Sequence, residues 1–240
     1  MAGELLLEHY ARPASGVDSK SSGTDMVSDA DRAAEEAISQ LLRAERPDDG
    51  MLGEEGLSAD GSSGRRWVVD PLDGTTNYLY RYPAWCVSVA LEDASGDGLV
   101  GVVHDPLAGE TFTAARGEGA FLDGTAIRVR GGGALERALV ATGFGYDPAV
   151  RAGQAEVLRR VLPRVRDVRR AGAAALDLCH VAAGRLDGYY ERGVKPWDVA
   201  AGSLIVREAG GVVVPLVGGR PGVAAARPTL VEALADLVKE

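Results

Sequence analysis

The strongest constraint on the fold is the order in which short apolar runs and longer amphipathic runs follow each other along the chain. Over residues 96–129, short β-rich runs alternate with turn pairs, which predicts several antiparallel strands. Beyond the glycine triplet at 131–133, strand-like runs alternate with helical stretches. This order predicts a mixed fold of the α+β or α/β class, in which helices and sheets pack in layers.

The N-terminal part of the chain combines loops, one amphipathic helix and two buried strands. Apolar residues recur with helical spacing over 28–45, so we expect a helix there. Strands are predicted for "RRWVVD" (65–70) and "AWCVSVALE" (84–92), because their apolar content is too high for an exposed edge. The segments 12–24 and 50–64 are rich in Gly and Ser and are predicted to be loops, the first of them mobile.

The sequence predicts one domain, because no linker separates these runs. The chain of 240 residues has no internal repeat and no disordered linker, so we expect a single catalytic unit over residues 1–240. Within it, an N-terminal half of about 1–133 would carry the antiparallel sheet. A C-terminal half of about 134–240 would carry the alternating helices and strands, with a seam near Gly131.

Composition and charge exclude several classes of partner. The net charge is −9 and the chain has no run of Lys or Arg, so nucleic acid is not an expected partner. No apolar run reaches membrane-spanning length, and the N-terminal residues do not resemble a signal peptide. The two cysteines, Cys86 and Cys179, lie in apolar surroundings without a CxxC motif, as is typical of buried thiols in a reducing compartment. We expect a cytoplasmic protein without a membrane partner.

Acidic residues occur in three separate segments where the chain leaves regular structure. The segments are "GEEG", "DPLDGTTN" and "KPWDVAAG", which contribute Glu54, Glu55, Asp70, Asp73 and Asp198. A fourth segment, "VSDAD", places Asp31 near a helix start. Hard divalent cations such as Mg²⁺ bind several oxygen ligands, above all carboxylates. None of the three histidines has a partner at i+3 or i+4, so a zinc site is not expected.

The segment "DPLDGTTN" has more polar chemistry than a chain reversal requires. Its proline restricts the backbone, so Asp70 and Asp73 could point the same way with the Leu72 carbonyl between them. Gly74 permits a tight turn, and the N–H groups of Gly74 and Thr75 would face an anion if a helix starts there. Carboxylates beside such amides indicate a cradle for cations and phosphate at a strand end.

Each acidic motif also has a simpler structural explanation when it is taken alone. Asp-Pro-x-Asp-Gly is common in turns, and Ser28 with Asp31 fits a capping box at a helix start. Glu54 and Glu55 could be solvated loop residues, and Asp198 could stabilise the first turn of a helix through the helix dipole. The joint occurrence of all these motifs favours a functional site. The P-loop, the GxSxG elbow and the GxGxxG phosphate loop are absent in their usual contexts.

These motifs resemble those of the inositol monophosphatase family of Mg²⁺-dependent, lithium-sensitive sugar-phosphate phosphatases. The matching segments occur in family order and span Lys20 to about Val214: "KSSGTDMVSDAD", "GEEG", "WVVDPLDGTTNYLYRYPAWCVSVAL", "RRAGAAALDLCHVAAGRLDGYYE" and "KPWDVAAGSLIVREAGG". The resemblance implies an αβαβα sandwich of alternating helix and sheet layers. It also implies hydrolysis of a small cyclitol or sugar phosphate, with myo-inositol 1-phosphate as the first candidate.

The resemblance implies a set of metal ligands. Glu54 and Asp70 would hold a first Mg²⁺ together with the Leu72 carbonyl. Asp70 would share a second ion with Asp73 and Asp198. A weaker third ion would use Glu54 and water, and Mn²⁺ could replace Mg²⁺. Two such cations could activate a water molecule and stabilise the leaving alkoxide. A competing mechanism, in which Asp70 or Asp73 forms a covalent phospho-aspartate, stays open.

The resemblance also implies which groups act on the substrate phosphate. Thr75, oriented by Asp31, would position and deprotonate the attacking water, and Glu54 would take part in catalysis through its metal ion. The amides of Gly74 and Thr75 would receive phosphate oxygens. Lys20 would lie on a mobile lid near the phosphate.

The expected substrate follows from a second group of positions. In the inositol-phosphate branch of the family, a glutamate at the position of Glu191 accepts hydrogen bonds from ring hydroxyls. Gly172, Ala173 and Ala174 also resemble that branch and leave room for a cyclitol, with Asp73 at the phosphate end. Glu191 could instead be an exposed loop residue. Fructose 1,6-bisphosphate, histidinol phosphate, a 3′-phosphonucleotide or an aminocyclitol phosphate stay open as substrates, as does a non-catalytic regulatory role.

The resemblance implies a homodimer, and two departures from the family pattern bear on it. Only 19 residues precede Lys20, where family members usually have a longer helical arm. The segment after Val214 returns quickly to the last predicted helix. Shortening at either place could alter lid closure, dimer packing or substrate choice. None of the implied metal ligands is lost, so an active enzyme is expected.

Overall fold

Five layers of secondary structure form the fold, in the order helices, sheet, helices, sheet, helices. The computed structural model describes residues 1–12, 14–19 and 26–239. Within these ranges the α-helices are Ala2–Tyr10 (α1), Asp29–Glu45 (α2), Thr75–Leu79 (α3), Pro148–Val161 (α4), Ala174–Ala182 (α5), Pro196–Glu208 (α6) and Pro228–Leu237 (α7). Short 3₁₀ helices lie at Leu135–Arg137 and Leu162–Arg164.

The first main sheet is built from the N-terminal half of the chain. The strands of this half are Asp18–Ser19 (β1), Met26–Val27 (β2), Gly50–Gly53 (β3), Ser58–Ala59 (β4), Arg66–Asp73 (β5), Cys86–Glu92 (β6), Gly98–Asp105 (β7), Glu110–Ala115 (β8), Gly119–Leu122 (β9) and Thr125–Ala126 (β10). Strands β1 and β2 pair with each other. The others form an eight-stranded sheet in the order β10-β9-β8-β7-β6-β5-β3-β4, in which β3 and β5 are parallel.

The second main sheet is built from the C-terminal half. Its five strands are Leu139–Thr142 (β11), Asp167–Arg169 (β12), Gly188–Arg192 (β13), Val212–Pro215 (β14) and Gly222–Ala226 (β15). They lie in the order β12-β11-β13-β15-β14. Strand β11 is parallel to both of its neighbours, whereas β15 is antiparallel to β13 and β14.

Three apolar cores lie between the five layers, and the central core fills both interfaces of the middle helix layer. Helices α1 and α2 pack on the outer face of the first sheet, α5 and α6 lie between the two sheets, and α4 and α7 pack on the outer face of the second sheet. Because successive side chains of a strand point to opposite faces of the sheet, one strand contributes side chains to two cores. Val68 of β5 packs in the central core, and Val69 packs in the outer core beneath α1 and α2. Tyr189 of β13 packs in the central core, and Tyr190 packs in the outer core beneath α4 and α7. The expected αβαβα sandwich is confirmed.

Most of the predicted elements are present where the apolar pattern put them. The stripe over 28–45 forms α2, and Ser28 and Asp31 form the predicted capping box at its start. The pattern over 84–92 forms β6. Within the described ranges, every helix is too short or too polar to serve as a membrane-spanning segment.

Two predictions about loops were wrong. The segment 50–64 contains β3 and β4, and β3 carries no strand signal because glycines occupy both of its ends. Its pairing with β5 supplies the order that its own residues do not favour. The segment after Val214 does not return directly to the last helix, because β15 lies between β13 and β14. The side chains of β15 are small, and Ala224, Ala225 and Ala226 are fully buried. Part of the predicted mobile loop over 12–24 lies outside the described residues.

Helix α1 was not predicted, and it docks directly behind the DPLDGTTN segment. Leu6 is fully buried in the outer core between α1, α2 and the first sheet, and the Tyr78 hydroxyl donates a hydrogen bond to the Leu6 carbonyl at 2.8 Å. The rings of Tyr10, Tyr78 and Trp85 pack against one another with centroids 5.0–5.4 Å apart. Helix α1 therefore supports the short helix α3, which follows the motif.

This docking predicts that Leu6→Ala lowers the free energy of unfolding by about 2–5 kcal/mol, because the truncation leaves a cavity in the outer core. Urea denaturation followed by circular dichroism measures the change. The exposed residue Glu8 on the same helix provides the control, and Glu8→Ala is expected to change stability by less than about 0.5 kcal/mol. Equal stability of the two variants would contradict the packing described for α1.

Candidate active site

A β-bulge in β5 turns the two aspartates of the DPLDGTTN motif to the same side of the sheet. Asp70 pairs with Ser88 on β6, and Asp73 pairs with Cys86. Three steps along β5 therefore match two steps along β6. Because directly paired residues project to the same face and Cys86 packs in the central core, both aspartates project toward α5 and α6. Pro71 lies inside the bulge, where its missing N–H does not interrupt the ladder.

Gly74 joins the bulged strand to α3. Its φ of 95° lies in the left-handed region that favours glycine, and a Cβ there would lie 2.8 Å from the Ala84 carbonyl oxygen. Helix α3 begins at the next residue, Thr75, so the helix start predicted after Gly74 is present. The turn places the amides of Gly74 and Thr75 beside the two aspartates.

Thr75 and Asp31 are in direct contact, although they are far apart in sequence. The Thr75 hydroxyl lies 2.8 Å from Asp31 Oδ1 and 3.1 Å from the Leu72 carbonyl oxygen. The other oxygen, Asp31 Oδ2, accepts hydrogen bonds from the backbone N–H and the hydroxyl of Ser28. Asp31 is 1% exposed. The capping box and the predicted contact with Thr75 are thus two functions of one carboxylate.

The other two acids of the cluster come from the ends of different elements. Asp198 lies in the first turn of α6, where Asp198 Oδ2 accepts a hydrogen bond from the Lys195 N–H at 2.6 Å. Glu54 follows β3, and its N–H donates to the Val69 carbonyl of β5 at 3.2 Å. Both carboxylates line the same pocket as Asp70 and Asp73.

Burial and mutual repulsion dominate the electrostatics of the cluster. Burial raises the pKa of Asp70 well above its usual range. The charges of Glu54, Asp73 and Asp198 raise this pKa further, and so does a hydrogen bond with the Glu54 carboxyl. Burial and the Asp198 charge raise the pKa of Asp73 as well, and burial raises the pKa of Asp198 to about 7. Carboxylates buried this close together are stable when protons or cations lie among them.

The chemistry of this donor set fits a hard divalent cation. The cluster offers only oxygen, from its carboxylates and from the Leu72 carbonyl, and Mg²⁺ prefers oxygen ligands. As the side chains stand, no three His, Cys, Asp or Glu residues of the described chain converge as a closed metal site. Backbone N–H groups hold Asp70, Asp73 and Asp198 at 3.0, 2.7 and 2.6 Å respectively. The acids therefore line the pocket without converging on one point, and rotations of their side chains would be needed to enclose an ion.

The acids form one end of a pocket of about 750 Å³. The rest of its lining comes mainly from the C-terminal half: Phe144–Pro148, Arg170, Gly172, Ala174, Glu191–Lys195, Trp197 and Arg220. Of the residues predicted to bind substrate, Gly172, Ala174 and Glu191 line this pocket together with Gly74 and Thr75. Ala173 does not line the pocket; it is 1% exposed and is the N-cap residue of α5. The predicted lid residue Lys20 lies outside the described residues.

Glu191 lies on β13, so its interpretation as an exposed loop residue is wrong. Its Oε2 accepts a hydrogen bond from the Tyr189 hydroxyl at 2.8 Å. Burial raises the pKa of Glu191, while the Tyr189 hydrogen bond and the positive charge of Arg170 lower it. Arg170 was not predicted as a site residue. It lines the pocket, and its guanidinium lies 6.0 Å from the centre of the Phe144 ring.

Two further contacts that were not predicted join the acidic motif to the C-terminal half. The Ala175 N–H, in the first turn of α5, donates to Asp73 Oδ2 at 2.7 Å. The Asn77 side-chain NH₂ donates to the carbonyls of Ala84 and Ala171 at 2.6 and 2.8 Å. Asn77 belongs to the DPLDGTTN segment, but its partner Ala171 is 94 positions away, and no local spacing indicates it.

The Asn77 contacts predict that Asn77→Ala lowers the free energy of unfolding by about 1–3 kcal/mol, because it removes the donor shared by the two carbonyls. Hydrogen exchange should also accelerate at residues 171–175, since that segment loses its tie to α3. The control is Thr76→Val in the same helix, because the buried Thr76 hydroxyl has no hydrogen-bond partner within the described part of the chain. Unchanged exchange at 171–175 in Asn77→Ala would refute a positioning role.

Comparisons with known proteins show the family of the chain. The chain matches the model of the inositol monophosphatase family over residues 1–239. It is 42% identical over 241 residues to the Nus factor SuhB of Pasteurella multocida, covering 100% of this chain and 89% of the relative. It is 46% identical over 215 residues to the inositol-1-monophosphatase SuhB of Mycobacterium tuberculosis, covering 85% and 74%.

A solved structure shows the same architecture. The crystal structure of the extragenic suppressor protein suhB from Bartonella henselae superposes with a TM-score of 0.93 at 40% identity, over 100% of this chain and 94% of the other. The similarity therefore extends over the whole length of this chain. The chain belongs to the inositol monophosphatase family.

Proposed function

We propose that this protein is a Mg²⁺-dependent phosphomonoesterase that hydrolyses a small cyclitol or sugar phosphate, with myo-inositol 1-phosphate as the leading candidate. The observation that carries the proposal is the presence, in one pocket, of an oxygen-only acidic cluster and of Thr75, whose hydroxyl donates a hydrogen bond to the buried Asp31. Family membership and the name of the M. tuberculosis relative, inositol-1-monophosphatase SuhB, support the same chemistry.

In this proposal, two or three Mg²⁺ ions are held by Glu54, Asp70, Asp73, Asp198 and the Leu72 carbonyl. Bound Mg²⁺ supplies positive charge that offsets the phosphate dianion and lowers the pKa of a bound water. The carboxylates themselves repel a phosphate, so their neutralisation is a condition for substrate binding. The amides of Gly74 and Thr75, together with Lys20, are assigned to the phosphate oxygens.

Thr75 and Asp31 are assigned to the attacking water. Because the Thr75 hydroxyl donates to Asp31 Oδ1 at 2.8 Å, its lone pairs can accept a hydrogen bond from a water molecule. That water can give a proton to Thr75 Oγ1 while Thr75 passes its own proton to Asp31, which completes general-base assistance without a histidine. This arrangement supports direct attack by water in preference to a phospho-aspartate intermediate.

Recognition of the alcohol part of the substrate is assigned to the wall of the pocket that carries Glu191. The Tyr189 hydroxyl orients one oxygen of Glu191, and a carboxylate so held can accept hydrogen bonds from ring hydroxyls. Gly172 and Ala174 add little bulk, which leaves space for a cyclitol ring. Ala173 would contribute only by packing behind Ala174.

A second candidate function is a regulatory one, since the P. multocida relative is named a Nus factor. In this alternative, the fold would serve as a binding protein and catalysis would be dispensable. Retention of every acid of the cluster favours the enzymatic proposal, because a binding surface elsewhere on the protein does not require them.

The proposed assembly is a homodimer of single catalytic units, each formed by residues 1–240, in the cytoplasm. It rests on the resemblance to the family. Sedimentation equilibrium tests it: a mass of twice 25.0 kDa supports the dimer, and a mass of 25.0 kDa refutes it.

The proposed function is tested by phosphate release from a panel of esters with Mg²⁺, with EDTA, and with Mg²⁺ plus lithium. The panel contains inositol 1-phosphate, fructose 1,6-bisphosphate, histidinol phosphate and a 3′-phosphonucleotide. We expect Mg²⁺-dependent, lithium-inhibited release that is fastest with inositol 1-phosphate. Faster release from another ester would change the substrate and retain the chemistry, whereas no release from any ester would favour the regulatory alternative.

The metal assignment predicts that Asp73→Asn lowers turnover by more than ~100-fold, beyond the usual effect of disturbing a supporting residue of a metal site. The fold should survive, because the asparagine carbonyl can still accept the Ala175 N–H that Asp73 Oδ2 accepts. Mg²⁺-dependent phosphate release and thermal unfolding measure the two effects. The exposed Asp60 provides the control as Asp60→Asn. Near-normal turnover in Asp73→Asn would show that the cluster is not the metal site.

The substrate assignment predicts that Glu191→Ala weakens kcat/KM for inositol 1-phosphate by roughly 10- to 100-fold, the usual range for losing a hydrogen bond to a charged group. Activity on p-nitrophenyl phosphate should fall much less, because that ester has no ring hydroxyls. Glu118→Ala, at an exposed position, is the control. Equal losses on both esters would rule out hydroxyl recognition by Glu191.

A further inference from the structure

Glu54 lies in a short turn that is held by a residue of another element. The turn connects β3 to β4, and Gly53 and Gly56 flank its two glutamates. The Gly53 N–H donates to the Leu57 carbonyl at 2.7 Å, and the Glu54 N–H donates to the Val69 carbonyl at 3.2 Å. The first bond closes the turn between its two ends, and the second ties Glu54 to β5, so the N–H groups of Glu55 and Leu57 need other acceptors.

The rest of the turn is held by Glu35 of α2. Its Oε2 accepts the Glu55 N–H at 2.9 Å, and its Oε1 accepts the Leu57 N–H at 3.0 Å. Glu35 is 7% exposed. A carboxylate at such a depth is costly unless hydrogen bonds compensate its lost hydration, and charge-assisted bonds to backbone N–H groups are among the stronger ones.

Gly53 leaves the space that this carboxylate occupies. A Cβ at Gly53 would lie 2.2 Å from Glu35 Oε2, which is too close for two non-bonded atoms. The φ of Gly53 is not in the left-handed region, so the requirement for glycine here comes from space and not from the backbone angle. A Cβ would also lie 2.8 Å from the Leu57 Cβ, so a larger residue at position 53 would displace the Glu35 carboxylate and disturb the turn itself.

Helix α2 carries a second site residue one turn before Glu35. Asp31 is four positions earlier, so both side chains project from the same face of the helix. Asp31 accepts the Thr75 hydroxyl, and Glu35 accepts the two N–H groups of the Glu54 turn. One rigid helix thus holds both the proposed water-binding pair and the turn that carries a proposed metal ligand.

We infer that Glu35 is a positioning residue for metal binding, which acts by holding the turn so that the Glu54 carboxylate stays at the acidic cluster. The inference rests on the proposed function, since it requires Glu54 to bind a metal ion. When two N–H anchors are lost, the turn gains conformational freedom, and binding must then supply the free energy of ordering it. Glu35 itself contacts neither metal nor substrate in this account.

The test is the affinity for Mn²⁺, measured by electron paramagnetic resonance of the free ion and by calorimetry. The variant is Glu35→Gln, which has nearly the same shape and keeps one acceptor oxygen, but its NH₂ group cannot accept an N–H hydrogen bond, so one of the two anchors is lost. We expect Mn²⁺ binding to weaken roughly 10- to 100-fold, as is typical when the support of a metal ligand is removed. Turnover at saturating Mn²⁺ should recover much more than the affinity does.

Two further variants separate positioning from a general effect on folding. Glu36→Gln changes the exposed neighbouring acid on α2 and is expected to leave Mn²⁺ affinity unchanged. Gly53→Ala would place a methyl group against both the Glu35 carboxylate and the Leu57 side chain, so it should loosen the turn and weaken Mn²⁺ binding, whether or not Glu35→Gln folds. Circular dichroism and thermal unfolding establish that each variant compared is folded.

The outcomes distinguish this inference from the function on which it rests. Tight binding by the wild type with unchanged affinity in folded Glu35→Gln or Gly53→Ala would overturn the role of Glu35 alone. Equal weakening in Glu36→Gln would also overturn it, because the effect would then reflect only lost negative charge. Absence of Mn²⁺ binding by the wild type would overturn the proposed function and this inference together.

Discussion

The burial of several like-charged carboxylates around one pocket is the constraint on which the rest of the site depends. Asp70 and Asp73 come from β5, Glu54 follows β3 and Asp198 belongs to α6, so the cluster exists only when these elements are assembled. The bulge in β5 turns Asp70 and Asp73 to one face, and the start of α6 adds Asp198. Backbone N–H groups then hold these carboxylates in place, including one from α5 in the C-terminal half. This arrangement is costly without cations, and that cost is the physical argument for a metal-dependent function.

The frame around the cluster explains how one pocket can combine different tasks. Helix α2 joins the Glu54 turn to the Thr75 hydroxyl through Glu35 and Asp31. Asn77 extends this frame to the C-terminal half, because its amide reaches the Ala171 carbonyl just before the wall assigned to the substrate. The acidic end is thus supported mainly by the N-terminal half, and the other walls of the pocket come from strands and loops of the C-terminal half. Substrate preference can therefore change through loops of the second half, while the proposed metal chemistry depends on the first half together with Asp198 of α6.

Much of the fold and the list of acids could be predicted from the sequence, because both depend on local patterns. The helical stripe of α2 and the apolar strands β5 and β6 have strong periodicity, and the acids follow them in short motifs. Strands β3 and β15 were missed because glycine and alanine give no strand signal and pairing alone orders them. The contacts of Ala175 with Asp73 and of Ala171 with Asn77 span 102 and 94 positions, so no local spacing could indicate them. The pairing of Thr75 with Asp31 was expected only from the family resemblance, and the roles of these residues in catalysis stay predictions.

The most direct test of the central claim is anomalous diffraction from crystals of the protein equilibrated with Mn²⁺. The account predicts at least one anomalous peak within bonding distance of the carboxylates of Asp70 and Asp73, with the side chains of Glu54 and Asp198 turned toward the ions. Crystals of Asp73→Asn should lose at least part of that density. Mn²⁺ bound only at other places, or a cluster without any peak, would contradict the claim that these buried acids form a metal site.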